Sequence, residues 1–148
     1  MVDDPGDLAL MATIGEELVT AVDAALEPWV GHVLARFAGI DADRAADAAR
    51  RCRVEITARL RSLVALDIDE QPTTPLVVIR DAARYPAEVL AAAGVPRPVR
   101  DPFDERMAPD DVYGLAPVSW GDLGPEVAAA GLRWGAAKAH LHLRRHGR

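Results

Sequence analysis

The 148-residue sequence has little cysteine, few aromatic residues and no long hydrophobic run. Cys52 is the only cysteine, so an internal disulfide is excluded and nothing indicates an oxidising compartment. The absence of about 18 consecutive apolar residues argues against a membrane-spanning segment. The chain begins with acidic residues where a secretory signal needs basic ones. We therefore expect a soluble, cytoplasmic protein that has no membrane partner.

Aromatic residues make up 5% of the chain, although half of the chain is hydrophobic. Aromatic and β-branched residues favour strands and are scarce here, whereas Ala, Leu and Arg favour helices and are abundant. A chain of this length most simply forms one domain. We predict a single all-α domain over residues 1–148, with four main helices arranged like a four-helix bundle.

The spacing of apolar residues predicts two long helices in the first half of the chain. Apolar residues recur every three or four positions over residues 7–37, and Pro28 predicts a kink or a break within this first helix. Asp41 is suited to cap a second helix that ends near Leu66. The outer face of the second helix carries a predicted ladder of ion pairs at four-residue spacing, formed by Arg51, Glu55 and Arg59.

A third helix is predicted to begin at Pro75, because proline suits the first helical position. Its opening residues "LVVI" (76–79) resemble a buried strand, but no partner strand is visible, and a lone strand would leave its backbone unpaired. Tyr85 precedes Pro86, which predicts a kink there, and Gly94 predicts the end of the helix.

The last helix is predicted over residues 125–145. Residues 126–148 hold four arginines and a lysine against one glutamate, whereas residues 1–40 hold seven acids against one arginine. We therefore expect the acidic first helix and the basic last helix to lie side by side. The last helix also carries a groove of small residues, which predicts close packing of another helix or an aromatic ring against Gly131, Gly135 and Ala139.

The segment before the last helix, residues 95–124, has no regular period and holds five prolines and three glycines. We call this segment the strap. Its aromatic residues Phe103, Tyr113 and Trp120 argue against disorder, because disordered segments are poor in such residues. We expect an ordered strap with these rings buried among the helices. Short capped turns are predicted at residues 101–107 and at 119–122.

Four arginines around a tyrosine form the most notable chemical group. They could grip an anionic ligand or an acidic partner segment, or they could pair with the aspartates of the strap and fix it to the third helix. Lys138 follows Trp134 by one helical turn, and its side chain either lies along the ring or serves as a desolvated amine. The arginine–tyrosine group comprises Arg80, Arg84, Tyr85, Arg97 and Arg100.

Metal and cofactor motifs are missing from the pattern. The strap carboxylates do not have the spacing of a calcium loop, and the C-terminal histidines lack a carboxylate that would complete a zinc set. No phosphate-binding glycine motif is present. We expect no metal and no cofactor. The residues considered for metal were Asp101, Asp104, Glu105, Asp110, Asp111, His140, His142 and His146.

The second half of the chain resembles a group of small uncharacterised bacterial helical proteins. The resemblance is carried by "TTPLVVIRDAARYPAEVLAAAGV", "RDPFDERMAPDDVYGLAP" and "WGAAKAHLHLRR". It implies a helical fold and brings no activity, cofactor or catalytic residue.

The sequence favours a non-catalytic interaction or regulatory module that docks a protein partner, either another protein or a second copy of this chain. Nucleic acid is not the expected partner, because a few basic residues on a net-acidic domain are a weak footprint. The alternative is a small-molecule-binding protein or enzyme, with a cleft between the strap and the third and last helices. The candidate binding residues are Arg80, Arg84, Tyr85, Arg97, Arg100, Asp110, Asp111, Tyr113, Trp120 and Lys138.

Overall fold

The computed structural model describes residues 5–65, 75–99 and 111–146 of the chain. Within these ranges all regular structure is helical and no strand is present, which confirms the all-α prediction. Short 3₁₀ turns occupy Asp81–Ala83 and Trp120–Leu123. The turn predicted at 67–75 and the capped turn at 101–107 lie outside the described residues, as does Phe103. The helices are α1 (Pro5–Leu34), α2 (Ala42–Val64), α3 (Pro75–Arg80), α4 (Arg84–Ala92) and α5 (Pro125–His146).

Helix α1 is continuous through Pro28, so the predicted break of the helix at this proline is not present. Pro28 is exposed, whereas its neighbours Leu26 and Val30 are fully buried. The buried neighbours hold both halves of the helix against the core. The proline therefore costs one backbone hydrogen bond, that of the Ala24 carbonyl, without ending the helix.

Local capping sets the boundaries around α2 as the sequence predicts. Gly39 has a φ of 75°, a left-handed conformation that suits glycine in the turn after α1. The Asp41 carboxylate then accepts hydrogen bonds from the backbone N–H groups of Asp43 and Arg44, at 2.8 and 3.1 Å. These bonds satisfy donors that the first turn of α2 leaves free.

The third predicted helix is divided into α3 and α4. The segment "LVVI" is helical, and α3 begins at Pro75 as expected. The interruption is the 3₁₀ turn at residues 81–83, several residues before the predicted kink. Pro86 is tolerated in the first turn of α4, where its missing N–H would have no intrahelical acceptor. Gly94 has a φ of 75° directly after α4.

Helix α1 lies at the centre of the fold. It packs on α2 along one side and on α5 along another, while α3 and α4 cover a further side of α2. Burying a side chain of leucine or isoleucine size stabilises the fold by about 1.5–3 kcal/mol. The largest fully buried aliphatic side chains are Leu18, Leu26, Ile56, Leu60, Ile79 and Leu90.

The acidic α1 and the basic α5 lie side by side, as their charges predict, and they run antiparallel. Arg133 pairs with Glu17 at 3.2 Å, and Arg144 pairs with Asp7 at 2.7 Å. These pairs are largely exposed, so each contributes about 0–1 kcal/mol and sets orientation more than stability. None of the helices within the described residues is long and apolar enough to cross a membrane.

The described part of the strap is ordered by its aromatic residues and caps. Trp120 packs on Gly131 so closely that a Cβ at position 131 would lie 2.3 Å from the ring. The predicted groove on α5 thus receives an aromatic ring at Gly131. Ser119 and Asp122 form the predicted capping box, and Asp122 accepts from the Val118 N–H at 2.7 Å.

Candidate functional site

The predicted arginine–tyrosine group is divided between the surface and the interior. Arg80, Arg84 and Arg97 are exposed. Tyr85 is buried, and its hydroxyl donates a hydrogen bond to the Glu55 carboxylate on α2. Tyr85 therefore belongs to the contact between α2 and α4, whereas the three arginines face solvent.

Charged groups surround Tyr85 on the α2–α4 contact. The guanidinium carbon of Arg51 lies 5.8 Å from the centre of the tyrosine ring. Arg51 also pairs with Glu88 on α4 at 3.2 Å. Burial and the hydrogen bond to the Glu55 carboxylate raise the pKa of the Tyr85 hydroxyl. A tyrosine that keeps its proton in this way joins two helices and is poorly suited to proton transfer near neutral pH.

The predicted ladder along the outer face of α2 is replaced by contacts with the elements beside it. Glu55 accepts a hydrogen bond from Tyr85 on α4. Arg59 pairs with Asp81 in the 3₁₀ turn at 2.8 Å, and Arg51 reaches Glu88. These side chains bind residues of the neighbouring elements and not one another, because this side of α2 packs against those elements.

The described strap residues of the predicted site make structural contacts. The Asp111 carboxylate accepts hydrogen bonds from the backbone N–H groups of residues 115 and 116, at 2.8 and 2.9 Å. Tyr113 is buried, and its hydroxyl donates to the Val95 carbonyl at 2.8 Å. Trp120 packs on α5. Both carboxylate oxygens of Asp111 are thus engaged by the backbone, and the described arginines of the group, Arg80, Arg84 and Arg97, do not pair with it.

Lys138 and two strap residues complete the predicted set. Lys138 is half-buried on α5, and desolvation lowers the pKa of its ammonium group. In the part of the chain that the structure describes, Lys138 makes no cation–π contact with Trp134. Arg100 and Asp110 lie outside the described residues.

Cys52 behaves as a small buried hydrophobic residue, as its position on the apolar face of α2 predicts. It is fully buried, and burial, together with the charge of Glu55, raises the pKa of its thiol to about 12. A thiol that stays protonated is a poor nucleophile. Among residues 5–65, 75–99 and 111–146, no three histidine, cysteine or acidic side chains come together as a metal site.

A cleft of about 620 Å³ lies between α1 and the end of the strap. Its walls are formed by one side of α1, with Ala24, Pro28 and His32, and by residues 121–126. The cleft is lined by apolar side chains together with polar ones, among them His32 and Asp122. It differs from the predicted cleft, because it involves the first helix, and none of the eight predicted residues that the structure describes lines it.

Helix α5 has a second apolar face, which points away from the core. With about 3.6 residues per turn, its members fall within roughly 80° of one another around the helix axis. They lie opposite the buried Val127, Trp134 and Leu141. Leu132 is 75% exposed and Leu143 is 62% exposed, and exposed alanines on the same face join them into a continuous apolar band. We call this face the outer stripe, and it consists of Ala129, Leu132, Ala136, Ala139 and Leu143, all exposed.

The outer stripe is free of charge along its length. A surface helix normally shows solvent a polar face. On α5 the charged residues lie at the edges of the stripe, where Arg133 and Arg144 turn towards the acids of α1. An uncharged apolar band with charged edges is the composition of a protein interface with a polar rim.

The outer stripe is not among the features that we predict from the sequence. The small residues of α5 predict one packing groove, and in the described part of the chain only Gly131 of that groove is filled by another side chain. A Cβ at Gly135 would meet nothing within 4 Å, and Ala139 is exposed. The signal that could have shown the stripe is the absence of charge on the face opposite Trp134.

Comparisons with protein-family models, with curated proteins and with solved structures found no match to this chain. The resemblance to small bacterial helical proteins therefore stays a prediction, and the function is argued from the geometry alone.

Proposed function

We propose that this protein is a non-catalytic interaction module that binds a helix of a protein partner on the outer stripe of α5. The observation that carries the proposal is the exposure of Leu132 and Leu143 on a charge-free face of a surface helix. The candidate binding residues Tyr85 and Asp111 are held in structural contacts and Cys52 is a buried thiol, so none of the three supports an enzyme. We place the module in the cytoplasm, in keeping with its single, buried thiol.

The spacing of the outer stripe suits a partner helix. The steps of three and four residues are those of a heptad seam, in which side chains of one helix insert between those of another. Alanines at positions 136 and 139 would let the two backbones approach closely, with a leucine on either side as an anchor. Full burial of each leucine would contribute about 1.5–3 kcal/mol before the cost of association is subtracted.

Site-specific photo-cross-linking in an extract of the producing cells tests this function. A photoreactive amino acid at position 136 on the stripe should give an adduct of one discrete mass. The same amino acid at position 58, an exposed alanine of α2, should give none. Adding Leu132→Arg to the position-136 chain should abolish the adduct. Equal adducts from both positions, or no adduct from either, would contradict the proposal.

A second candidate function is the binding of a small molecule in the cleft between α1 and residues 121–126. It is favoured by the cleft volume of about 620 Å³, which lies in the range of small-molecule sites. Native mass spectrometry of the purified protein should then show a retained molecule of constant mass. Ala24→Trp, which fills the cleft from its α1 wall, should remove that mass without unfolding the protein, as circular dichroism would verify.

A further inference from the structure

We infer that the partner of the outer stripe is a second copy of this chain, whose α5 packs antiparallel to the first. This inference rests on the proposed function and names its partner. The other occupant considered is a different protein, and the experiments below separate the two cases.

Between Leu132 and Leu143, the pattern of the outer stripe is the same when it is read in either direction, and Ala129 lies outside this symmetric part. Leu132 and Leu143 lie at equal distances in sequence from the midpoint between Ala136 and Ala139. When two such helices pack antiparallel about that midpoint, each Leu132 faces the Leu143 of the other copy, and each Ala136 faces an Ala139. A two-fold interface requires this self-complementarity, because the same surface serves both subunits. A stripe for an unrelated partner does not require it.

The charges of α5 favour the antiparallel over the parallel arrangement. The first turn of the helix carries the exposed Glu126, and its far end carries Arg144 on the same edge, where Arg144 also pairs with Asp7. Antiparallel packing brings the acidic start of one helix towards the basic end of the other. Parallel packing would align like charges and would also align the two helix dipoles unfavourably. At the edge of the stripe, Arg133 is already paired with Glu17, so two copies do not meet with bare positive charges.

The length of the stripe sets the expected strength of the dimer. Leu132 and Leu143 are separated by about 17 Å along the helix axis, or three turns. This contact is small compared with interfaces that hold permanent dimers. We therefore expect a reversible dimer rather than an obligate one. The isolated subunit should be folded, because the stripe contributes nothing to the monomer core.

Sedimentation velocity over a wide range of protein concentration tests the dimer. The wild-type protein should shift from monomer to dimer as concentration rises, and Leu132→Arg should raise the dissociation constant at least tenfold. Leu143→Arg should do the same. Val54→Arg is the matched control, because Val54 is 57% exposed on α2 and lies away from the stripe. It should leave the dissociation constant unchanged.

Disulfide trapping tests the antiparallel orientation. Cys52 is fully buried, so engineered surface cysteines can be oxidised without competition from it. A mixture of Leu132→Cys and Leu143→Cys chains should form the mixed disulfide, because one Cys–Cys pair and one Leu–Leu pair then face each other. Leu132→Cys alone should stay unlinked, since its two copies lie about 17 Å apart along the seam and a disulfide needs Cα atoms within about 7 Å.

Two results would overturn the inference. A homodimer disulfide from Leu132→Cys alone would show a parallel arrangement. A wild-type protein that stays monomeric at all concentrations would show that a second copy is not the occupant. In that second case, an adduct to a different protein from position 136 would keep the proposed function, whereas the absence of any adduct would remove both.

Discussion

Helices α2 and α5 both pack along α1, but their remaining sides differ. The second side of α2 meets α4, where Tyr85 binds Glu55 and Arg51 binds Glu88. The second side of α5 is the outer stripe, which carries only alanine and leucine and is exposed. One helix thus completes its contacts within the chain by hydrogen bonds and ion pairs. The other has an apolar face that stays exposed among the residues that the structure describes.

This difference separates what stabilises the fold from what is available for binding. The polar groups of α2 are already hydrogen-bonded or paired within the subunit, so they would contribute little additional free energy to the binding of a partner. The leucines of the outer stripe still have apolar area in contact with water, and burying that area is favourable. A docking function is therefore more consistent with α5 than with the charged cluster at α2.

The largest expected effect compares the two faces of α5 itself. Leu141→Ala on the inner face should lower the free energy of unfolding by about 2–4 kcal/mol, because Leu141 is 4% exposed and its removal leaves a cavity. Leu132→Ala on the outer stripe should change it by no more than about 0.5 kcal/mol. Urea unfolding at a concentration where the protein is monomeric measures both. If Leu132→Ala lowered the free energy of unfolding by a similar amount, the outer stripe would be part of the core and the two faces of α5 would not differ.

Two glycines mark the limit between the packed and the open side of α5. Gly131→Ala should destabilise the protein by about 1–3 kcal/mol, because the new Cβ overlaps the Trp120 ring. Gly135→Ala should stabilise it by about 0.5–1 kcal/mol, since its surroundings are open and alanine favours the helix. Thermal unfolding of the two variants gives the signs. If both variants changed the stability in the same direction, the difference in packing between Gly131 and Gly135 would be contradicted.

The smallest expected effect lies on the α2–α4 contact. Tyr85→Phe removes the hydrogen bond to Glu55 and should cost about 0.5–1.5 kcal/mol at neutral pH. The raised pKa of Tyr85 means that the unfolded state releases this proton first, at about the ordinary tyrosine pKa of 10. Stability should therefore fall as pH rises above about 10 and be unaffected by this group below about 9.

Measuring the free energy of unfolding of wild type and Tyr85→Phe from pH 8 to 11 isolates this contribution. The difference between the two proteins should shrink as the pH rises above 10. The raised pKa of Cys52 acts in the same direction in both proteins and cancels. A difference that stays constant with pH would show that Tyr85 does not keep its proton in the folded state.

Local signals accounted for most of the helix boundaries. Asp41 caps α2, Pro75 opens α3, Gly94 follows the end of α4, and Ser119 forms its capping box. Each of these depends on a few neighbouring residues and on backbone geometry, so each can be predicted from a short stretch of sequence.

The candidate sites needed the tertiary structure. Tyr85 was grouped with arginines close to it in sequence, but its hydroxyl binds Glu55, which lies 30 residues away. The cleft joins α1 to residues 121–126, nearly a hundred positions apart in the chain, and no spacing rule connects such segments. The contact between the strap and α5 was the exception, because a glycine inside a helix indicates that a bulky group packs closely against it.

The sequence by itself determined that this chain is helical and where most helices begin and end, and it left another helix or an aromatic ring as the alternatives for the groove at Gly131. Only the tertiary structure decided which face of α5 meets the core. Both faces are apolar, with Trp134 and Leu141 on one side and Leu132 and Leu143 on the other. Helical periodicity marks two such faces equally. Packing against α1 buries the face with the larger rings and leaves the leucine–alanine stripe exposed.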